Sequence, residues 1–312
     1  MIQVKTPGQL AVMREAGLVV ARTLRVVADA VRPGITTAEL DELAEREILA
    51  ADATPSFKGY HGFPASICTS VNEEIVHGIP SPAKRLRPGD IISIDCGAIV
   101  DGWHADAALT VGVGEISAEH SRLLEVCESA LWHGLAQARP GHRLTDISHA
   151  VELSVRSAGR YGIVEEYVGH GIGSAMHMEP AVPNYGRPGR GPRLTTGMAL
   201  AVEPMVVLGG RHTDLLDDGW TVVSADRTWS AHFEHTVAIT ADGPWVTTAE
   251  DGGDACFTRF VESARMPMAG GVGGLSPRAG AAGGVGGLSP QAGAAGGVGG
   301  SSPQASAARS KS

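Results

Sequence analysis

The segment DIISIDCGAIVDGWHADAALTVGVG carries two aspartates, Asp95 and Asp106, on either side of Asp101-Gly102. Asp-Gly between two apolar runs is a strong hairpin signal, because both central residues of a tight hairpin turn need positive φ. With those two as the turn, Val100 faces Trp103, Cys96 faces Ala107, Asp95 faces Ala108 and Gly97 faces Asp106. Asp95 and Asp106 then project from one face as diagonal neighbours, about 7–8 Å apart at the backbone. A one-residue slip or a bulge would separate them onto opposite faces. Asp95 follows Ile91-Ile92-Ser93-Ile94, and an acid in such a strand is costly to bury unless it is paired or metal-bound. The plain alternative is a salt-bridged carboxylate at a sheet edge. Two acids on one face favour a cation.

Further acids lie in strand-like runs. Glu203 ends Ala199-Leu200-Ala201-Val202 and is followed by Pro204, and Glu234 lies in Ala231-His232-Phe233-Glu234-His235. Alternation puts Glu234 on the side of His232, away from His235. The stretch VGHGIGSAMHMEP (168–180) adds His170 and His177 among glycines. The glycines are expected to let the backbone turn tightly. By themselves the two histidines leave three readings open: two ligands, one, or none. His61, His104, His120, His133, His142, His149, His212 and His235 read as hydrogen-bonded surface or core residues. Asp95, Asp106, His170, Glu203 and Glu234 form a set of four carboxylates and one imidazole. Oxygen-rich ligation with one nitrogen suits Mn²⁺, Fe²⁺ or Co²⁺ and tolerates Zn²⁺. Four anionic ligands suit two divalent ions about 3.5–4 Å apart better than one.

The elements that must position these residues are legible in outline. Thr6-Pro7-Gly8-Gln9 and Thr36 to Glu39 have the form of capping boxes, each opening an amphipathic helix. The first helix stops near Arg32-Pro33-Gly34. A second long helix is expected over 118–138, ending at Arg139-Pro140-Gly141. Strands are expected over 66–71, 91–100 and 103–111, and again over 198–207, 221–225 and 231–240. The order helix, helix, strands therefore occurs twice. Short turns join many of the strands, so the class is α+β with antiparallel pairing.

Composition bounds the rest. The formal charge is −9, and the charged residues from Arg265 onward (Arg265, Arg278, Arg309, Lys311) are all basic, so the preceding body is more acidic still. That argues against binding a phosphate backbone. The loop GRPGRGPR (186–193) could make a local contact with a nucleoprotein, although a solvated loop is its ordinary reading. Four cysteines without a C-x-x-C suggest a reduced, cytoplasmic setting. No secretory signal and no membrane-length apolar run are seen. Blocks of GGVGG begin at Gly270, Gly283 and Gly296. This Gly/Ala/Ser/Pro repeat cannot bury enough apolar area to offset its ordering entropy. The expected organisation is a catalytic domain over 1–262 and a flexible tail over 263–312.

The phrases YHGFPASICTSVNEEIVHGIP, SIDCGAIVDGWHADAALTVGVG, GHGIGSAMHMEP, GMALAVEPMV and DGWTVVSADRTWSAHFEHTVAIT, in this order, resemble type I methionine aminopeptidases of the pita-bread fold. The resemblance runs over about 2–246. It implies two pseudo-symmetric halves around a curved antiparallel sheet flanked by helices. It implies that Asp106 and Glu234 bridge two divalent metals, that Asp95 chelates one, and that His170 and Glu203 chelate the other. A bridging water would attack the first peptide carbonyl of a chain beginning with methionine, with a small second residue preferred. Glu203 would relay the proton, His177 would hydrogen-bond the carbonyl oxygen, and His77 would contact the scissile nitrogen. Tyr60, Phe63, Cys68, Met176 and Trp220 would wall the methionine pocket. Two positions depart from the family: Met176 stands where an aromatic residue is common and His232 where glutamine is common. Both are expected to tune the pocket. The implied substrates are nascent polypeptides, met by a cytoplasmic monomer in transient contact with the ribosome. The rivals are an Xaa-Pro peptidase, whose relatives generally carry an extra N-terminal domain, and a metal-free binding module, which would have lost several of the acids.

Overall fold

The computed structural model describes residues 1–262; the expected tail lies outside them. Both capping boxes form. Thr6 caps α1 (Pro7–Ala30) and Thr36 caps α2 (Thr37–Ala50), each with reciprocal bonds to the N3 side chain. Then follow β1 (Thr54–Pro55), β2 (Ile67–Val71), β3 (Glu74–Val76), and the long hairpin of β4 (Ile91–Val100) and β5 (Trp103–Gly112). A second helix pair, α3 (Ala118–Leu135) and α4 (Leu144–Ala158), precedes β6 (Gly162–Ile163), β7 (Gly169–Gly171), β8 (Met178–Val182), β9 (Ala199–Val202) and β10 (Met205–Val207). The remaining strands are β11 (Thr213–Leu215), β12 (Val222–Ser224), β13 (Ser230–His232), β14 (Glu234–Thr240) and β15 (Gly243–Val246).

A nine-stranded antiparallel sheet joins the halves in the order β1-β4-β5-β14-β9-β7-β8, with β2 on β4 and β15 on β14. Asp101 and Gly102 adopt φ of 46° and 78°, as the hairpin turn demands. The β4/β5 register is the one the sequence predicts, including Asp95 opposite Ala108 and Gly97 opposite Asp106. One face of this sheet packs on helices. Ile92, Ile94, Cys96, Ala105 and Ala107 meet Val20, Leu24, Val27, Leu40 and Ile48 of the first helix pair. Leu200, Val202, Val237 and Ile239 meet Leu131, Leu135, Ile147 and Val151 of the second. Each such buried aliphatic side chain contributes about 1.5–3 kcal/mol, so the rear face fixes both halves firmly.

Three expectations are corrected. The third helix ends at Leu135 instead of 138: its last turn tightens, with Gln137 N–H bonded to Gly134 O and Ala138 N–H to Leu135 O. The approaching Pro140 disfavours helical geometry just before it. The strand expected over 198–207 is two, β9 and β10, interrupted at Glu203-Pro204, because proline cannot donate to a sheet ladder. The strand expected over 231–240 is likewise two, β13 and β14, interrupted at Phe233. The breaks face one another: His235 pairs with Val202 on one side and His232 with Met205 on the other. Both strands therefore leave the large sheet together and continue as a small one of order β13-β10-β6.

Candidate metal centre

Paired residues of a sheet share a face, so register alone brings the acids together. Cys68 pairs with Asp95, Asp95 with Ala108, and Ala108 with Glu234, a row across four strands. One step along, Gly97 pairs with Asp106 in one half and His170 with Ala201 in the other. Between them β5 and β14 part, and the Thr236 hydroxyl fills the gap. It accepts from Asp106 N–H at 3.0 Å and donates to Asp106 C=O at 2.8 Å. Glu203 lies two residues beyond Ala201, at the break. Ala108 and Ala201, between the acids, have small side chains, and Gly97 lets Ser56 and Phe57 pack onto the sheet, since a Cβ there would fall 2.8 Å from Ser56 Cβ and 2.9 Å from Phe57 Cε1.

The result is a cavity of about 130 Å³. All five expected ligands line it, together with His77, His177 and the expected pocket walls Tyr60, Phe63, Cys68, Met176 and Trp220. Phe57 lines it too, a wall residue that the sequence reading left unassigned. Phe57, Phe63, Ala65, Cys68 and Met176 form a buried apolar cluster flanked by Tyr60, Ile79 and Trp220. The cavity is thus acidic on the sheet side and apolar opposite.

Electrostatics single out the acidic side. Burial, then the neighbouring charges of Asp106 and Glu203, pushes Asp95 well above the usual carboxylate range. Burial, with Asp106 next, does the same to Glu203, and burial with Asp106, Glu203 and Asp95 to Glu234. Burial raises Asp106 to about 7, opposed by a side-chain hydrogen bond with Asp95 and then by the Ala107 N–H. Among the described residues, Asp95 Oδ1, Asp106 Oδ1 and Glu234 Oε1 are enclosed without any hydrogen-bond partner, and no Lys or Arg lines the cavity. Buried acids of this kind need either protons or a cation. His170 fits the same purpose. Its Nδ1–H donates to Gly171 O at 3.0 Å, which leaves the Nε2 lone pair free. That Nε2 lies 3.6 Å from Glu203 Oε1 and 4.0 Å from Asp106 Oδ2. Burial lowers the pKa of His170 to about 3, so it is neutral and able to ligate. The donors of Asp106, His170 and Glu234 lie within 4.8 Å of one another, as do those of Glu203, His232 and Glu234. Several carboxylates and a neutral imidazole facing one space fit divalent cations.

The glycines of the 168–180 stretch work otherwise than expected. Gly169 and Gly171 lie in β7 and do not turn it. A Cβ on Gly169 would fall 2.3 Å from Ala201 O, and one on Gly171 would fall 2.2 Å from Glu179 O. They are needed so that neighbouring strands can approach His170 closely. The second histidine, His177, is exposed at the cavity rim. Its Nδ1 contacts the Tyr60 hydroxyl at 2.9 Å, and its ring lies edge-on to His170 at 4.3 Å. His77 follows β3 with φ of 60°, a left-handed conformation uncommon outside glycine and typical of strained functional positions. Burial, with the nearby His177, lowers its pKa to about 4. His232, expected to tune the pocket, is not among the residues that line it and sits behind the acids instead. It is buried, with Nε2 3.8 Å from Glu203 Oε2 and 3.9 Å from Glu234 Oε2. Alternation had already put it on the side of Glu234, and that was the available signal.

Residues 11–241 match the model of metallopeptidase family M24. The chain is 53% identical to a methionine aminopeptidase of Clostridium acetobutylicum over 248 residues, covering 80% of this chain and 99% of that one. It is 53% identical to methionine aminopeptidase 1 of Mycobacterium tuberculosis over 249 residues, covering 78% and 94%. The crystal structure of methionine aminopeptidase from Thermotoga maritima superposes with a TM-score of 0.79 at 42% identity, covering 80% of this chain and all of that one. A prolidase from Pyrococcus furiosus, at 20% identity and a TM-score of 0.64, shares the pita-bread fold. The chain belongs to metallopeptidase family M24 and, within it, to the type I methionine aminopeptidases.

Proposed function

We propose that Asp95, Asp106, His170, Glu203 and Glu234 hold two divalent ions, and that His77, His177 and Glu203 act with them to release methionine from the N-terminus of peptides. The observation that carries this reading is the juxtaposition of four carboxylates, with no Lys or Arg among the residues lining their cavity, and one apolar cleft. When bound, divalent ions supply Lewis acidity and lower the pKa of water towards neutrality. Mn²⁺, Fe²⁺, Co²⁺ and Zn²⁺ all suit the donor set.

The protein's own groups do the rest. Phe63, Cys68, Met176 and Trp220, with Tyr60 at the rim, receive an unbranched thioether side chain in a soft apolar pocket. Glu203 is the least buried of the acids on the second half of the sheet, so it is placed to take a proton from the attacking water and pass it on. His177, neutral and held by the Tyr60 hydroxyl, donates to the carbonyl oxygen as charge develops there. His77, fixed by its backbone and by edge contacts to Tyr167 and Trp220, meets the scissile nitrogen. A cleft with room for one side chain favours a small second residue. The chemistry resides in residues 1–262, and the repeat-bearing remainder is dispensable for it. The natural substrates are nascent polypeptides in the cytoplasm, handled by a monomer, in keeping with four unpaired cysteines and with the absence, among the described residues, of a helix able to cross a membrane.

The test is turnover of Met-Ala-X and Ala-Pro-X peptides by metal-stripped protein with each divalent ion restored in turn. Methionine release with at least one ion, and none from Ala-Pro-X, is expected. Release of alanine from Ala-Pro-X alone would favour the Xaa-Pro reading.

A further inference from the structure

His232 does not line the cavity, yet its ring points at the acids that do. Its Nε2 is enclosed and has no hydrogen-bond partner among the described residues. The facing oxygens are Glu203 Oε2 at 3.8 Å and Glu234 Oε2 at 3.9 Å, so the ring is shared almost equally between two carboxylates. Glu203 therefore has an imidazole beside each oxygen, His170 at Oε1 and His232 at Oε2. The backbone of His232 is rigidly held. Its N–H donates to Thr110 Oγ1 at 2.9 Å, and that hydroxyl donates to His232 C=O at 2.8 Å. Ser93 Oγ contacts the same hydroxyl at 2.8 Å, and His232 pairs with Met205 across the small sheet.

We propose that His232 is a positioning residue of the metal centre. As the Nε2–H tautomer it donates to the rear oxygens of Glu203 and Glu234, and so fixes how both carboxylates present their remaining oxygens to the cavity. The single Nε2–H is shared between the two oxygens as one bifurcated, charge-assisted bond, which small rotations of the carboxylates shorten. Glu203 sits between β9 and β10, outside any ladder, and Glu234 opens β14 next to the break at Phe233, held on one side by its pairing with Ala108. A donor fixed on the neighbouring strand supplies the missing constraint. This inference rests on reading Glu203 and Glu234 as ligands.

The experiment is calorimetric titration of Mn²⁺ and Co²⁺ into metal-stripped protein, with the visible spectrum of the Co²⁺ form and the imidazole count from X-ray absorption. His232→Leu should weaken metal binding about 10- to 100-fold, as loss of an outer-sphere partner typically does, and shift the Co²⁺ bands. His232→Gln, whose amide N–H has similar reach, should restore most of the affinity. The imidazole count should be the same in all three proteins. If His232→Leu does not fold, His232→Asn, too short to bridge both acids, carries the same expectation. Wild-type affinity and spectrum in His232→Leu would overturn the proposal. So would loss of one imidazole from the count, which would make His232 a ligand. Glu234→Gln is the control: if it binds metal like the wild type, the ligand reading itself has failed, and this inference with it.

Discussion

In the first half of the sheet, β4 and β5 run unbroken for ten residues each, and a two-residue turn sets their register. Asp95 and Asp106 are placed by counting from that turn. In the second half the corresponding acids stand at interruptions, Glu203 just after β9 and Glu234 just after the break at Phe233. Continuous pairing places the first two acids. The second two are placed by a paired exit from the sheet, stabilised by Asn184 Nδ2 donating to Glu203 C=O at 3.0 Å and by Phe233 N–H reaching Pro204 C=O at 3.4 Å. Unequal means thus deliver acids of equal importance to one cavity.

The largest effect should come from taking one acid from each half. Glu234→Gln and Asp95→Asn should each lose metal together with at least about a thousandfold in kcat/KM, since several kcal/mol of metal-derived stabilisation depend on them. Calorimetry and peptide turnover on the same samples check this. A loss confined to one half would break the symmetry argued above. Next comes Gly171→Ala. Its Cβ would meet Glu179 O at 2.2 Å, so β7 must shift and take His170 with it. A loss of about 1–3 kcal/mol in urea unfolding is expected, with weakened metal binding.

His235 probes the rear of the same strand. It is partly buried, contacts Thr248 Oγ1 at 2.8 Å, and desolvation, opposed by Asp251, lowers its pKa to about 4. A histidine depressed in the folded state is neutral there while the unfolded chain binds a proton, so its stabilising contribution is lost as pH falls from about 6.5 towards 4. Between pH 6.5 and 5 the loss is about 2 kcal/mol. Urea midpoints at the two pH values should therefore differ less in His235→Gln than in the wild type. The smallest effect is expected at the hairpin turn. Gly102 has φ of 78° and open space around it, so Gly102→Ala meets only backbone strain of about 1 kcal/mol, with metal affinity unchanged.

What could be read in advance follows the same division. Asp101-Gly102 and period-two alternation dictated the register of β4 and β5, and two capping boxes dictated the first helices, because each is a short-range device. Glu203-Pro204 carried its own warning, since proline cannot continue a ladder. The break at Phe233 carried none: it arises from the partner strand and depends on tertiary pairing. His232 was visible only in part: alternation put it on the side of Glu234, but its facing Glu203 as well depends on two strands that bend together. The glycines around His170 were visible as glycines, but their purpose, close approach of β8 and β9, needed the neighbours in place. The pocket walls Tyr60, Phe63, Cys68, Met176 and Trp220 were legible through the family resemblance, for by type alone they read as ordinary core.

The most direct measurement follows methionine release from a Met-Ala-X peptide while Mn²⁺ or Co²⁺ is titrated into metal-stripped protein. The account predicts no release from the stripped protein, release that rises with metal bound, and neither binding nor release in Glu234→Gln. Full turnover by the stripped protein, or metal binding and turnover intact in Glu234→Gln, would contradict it.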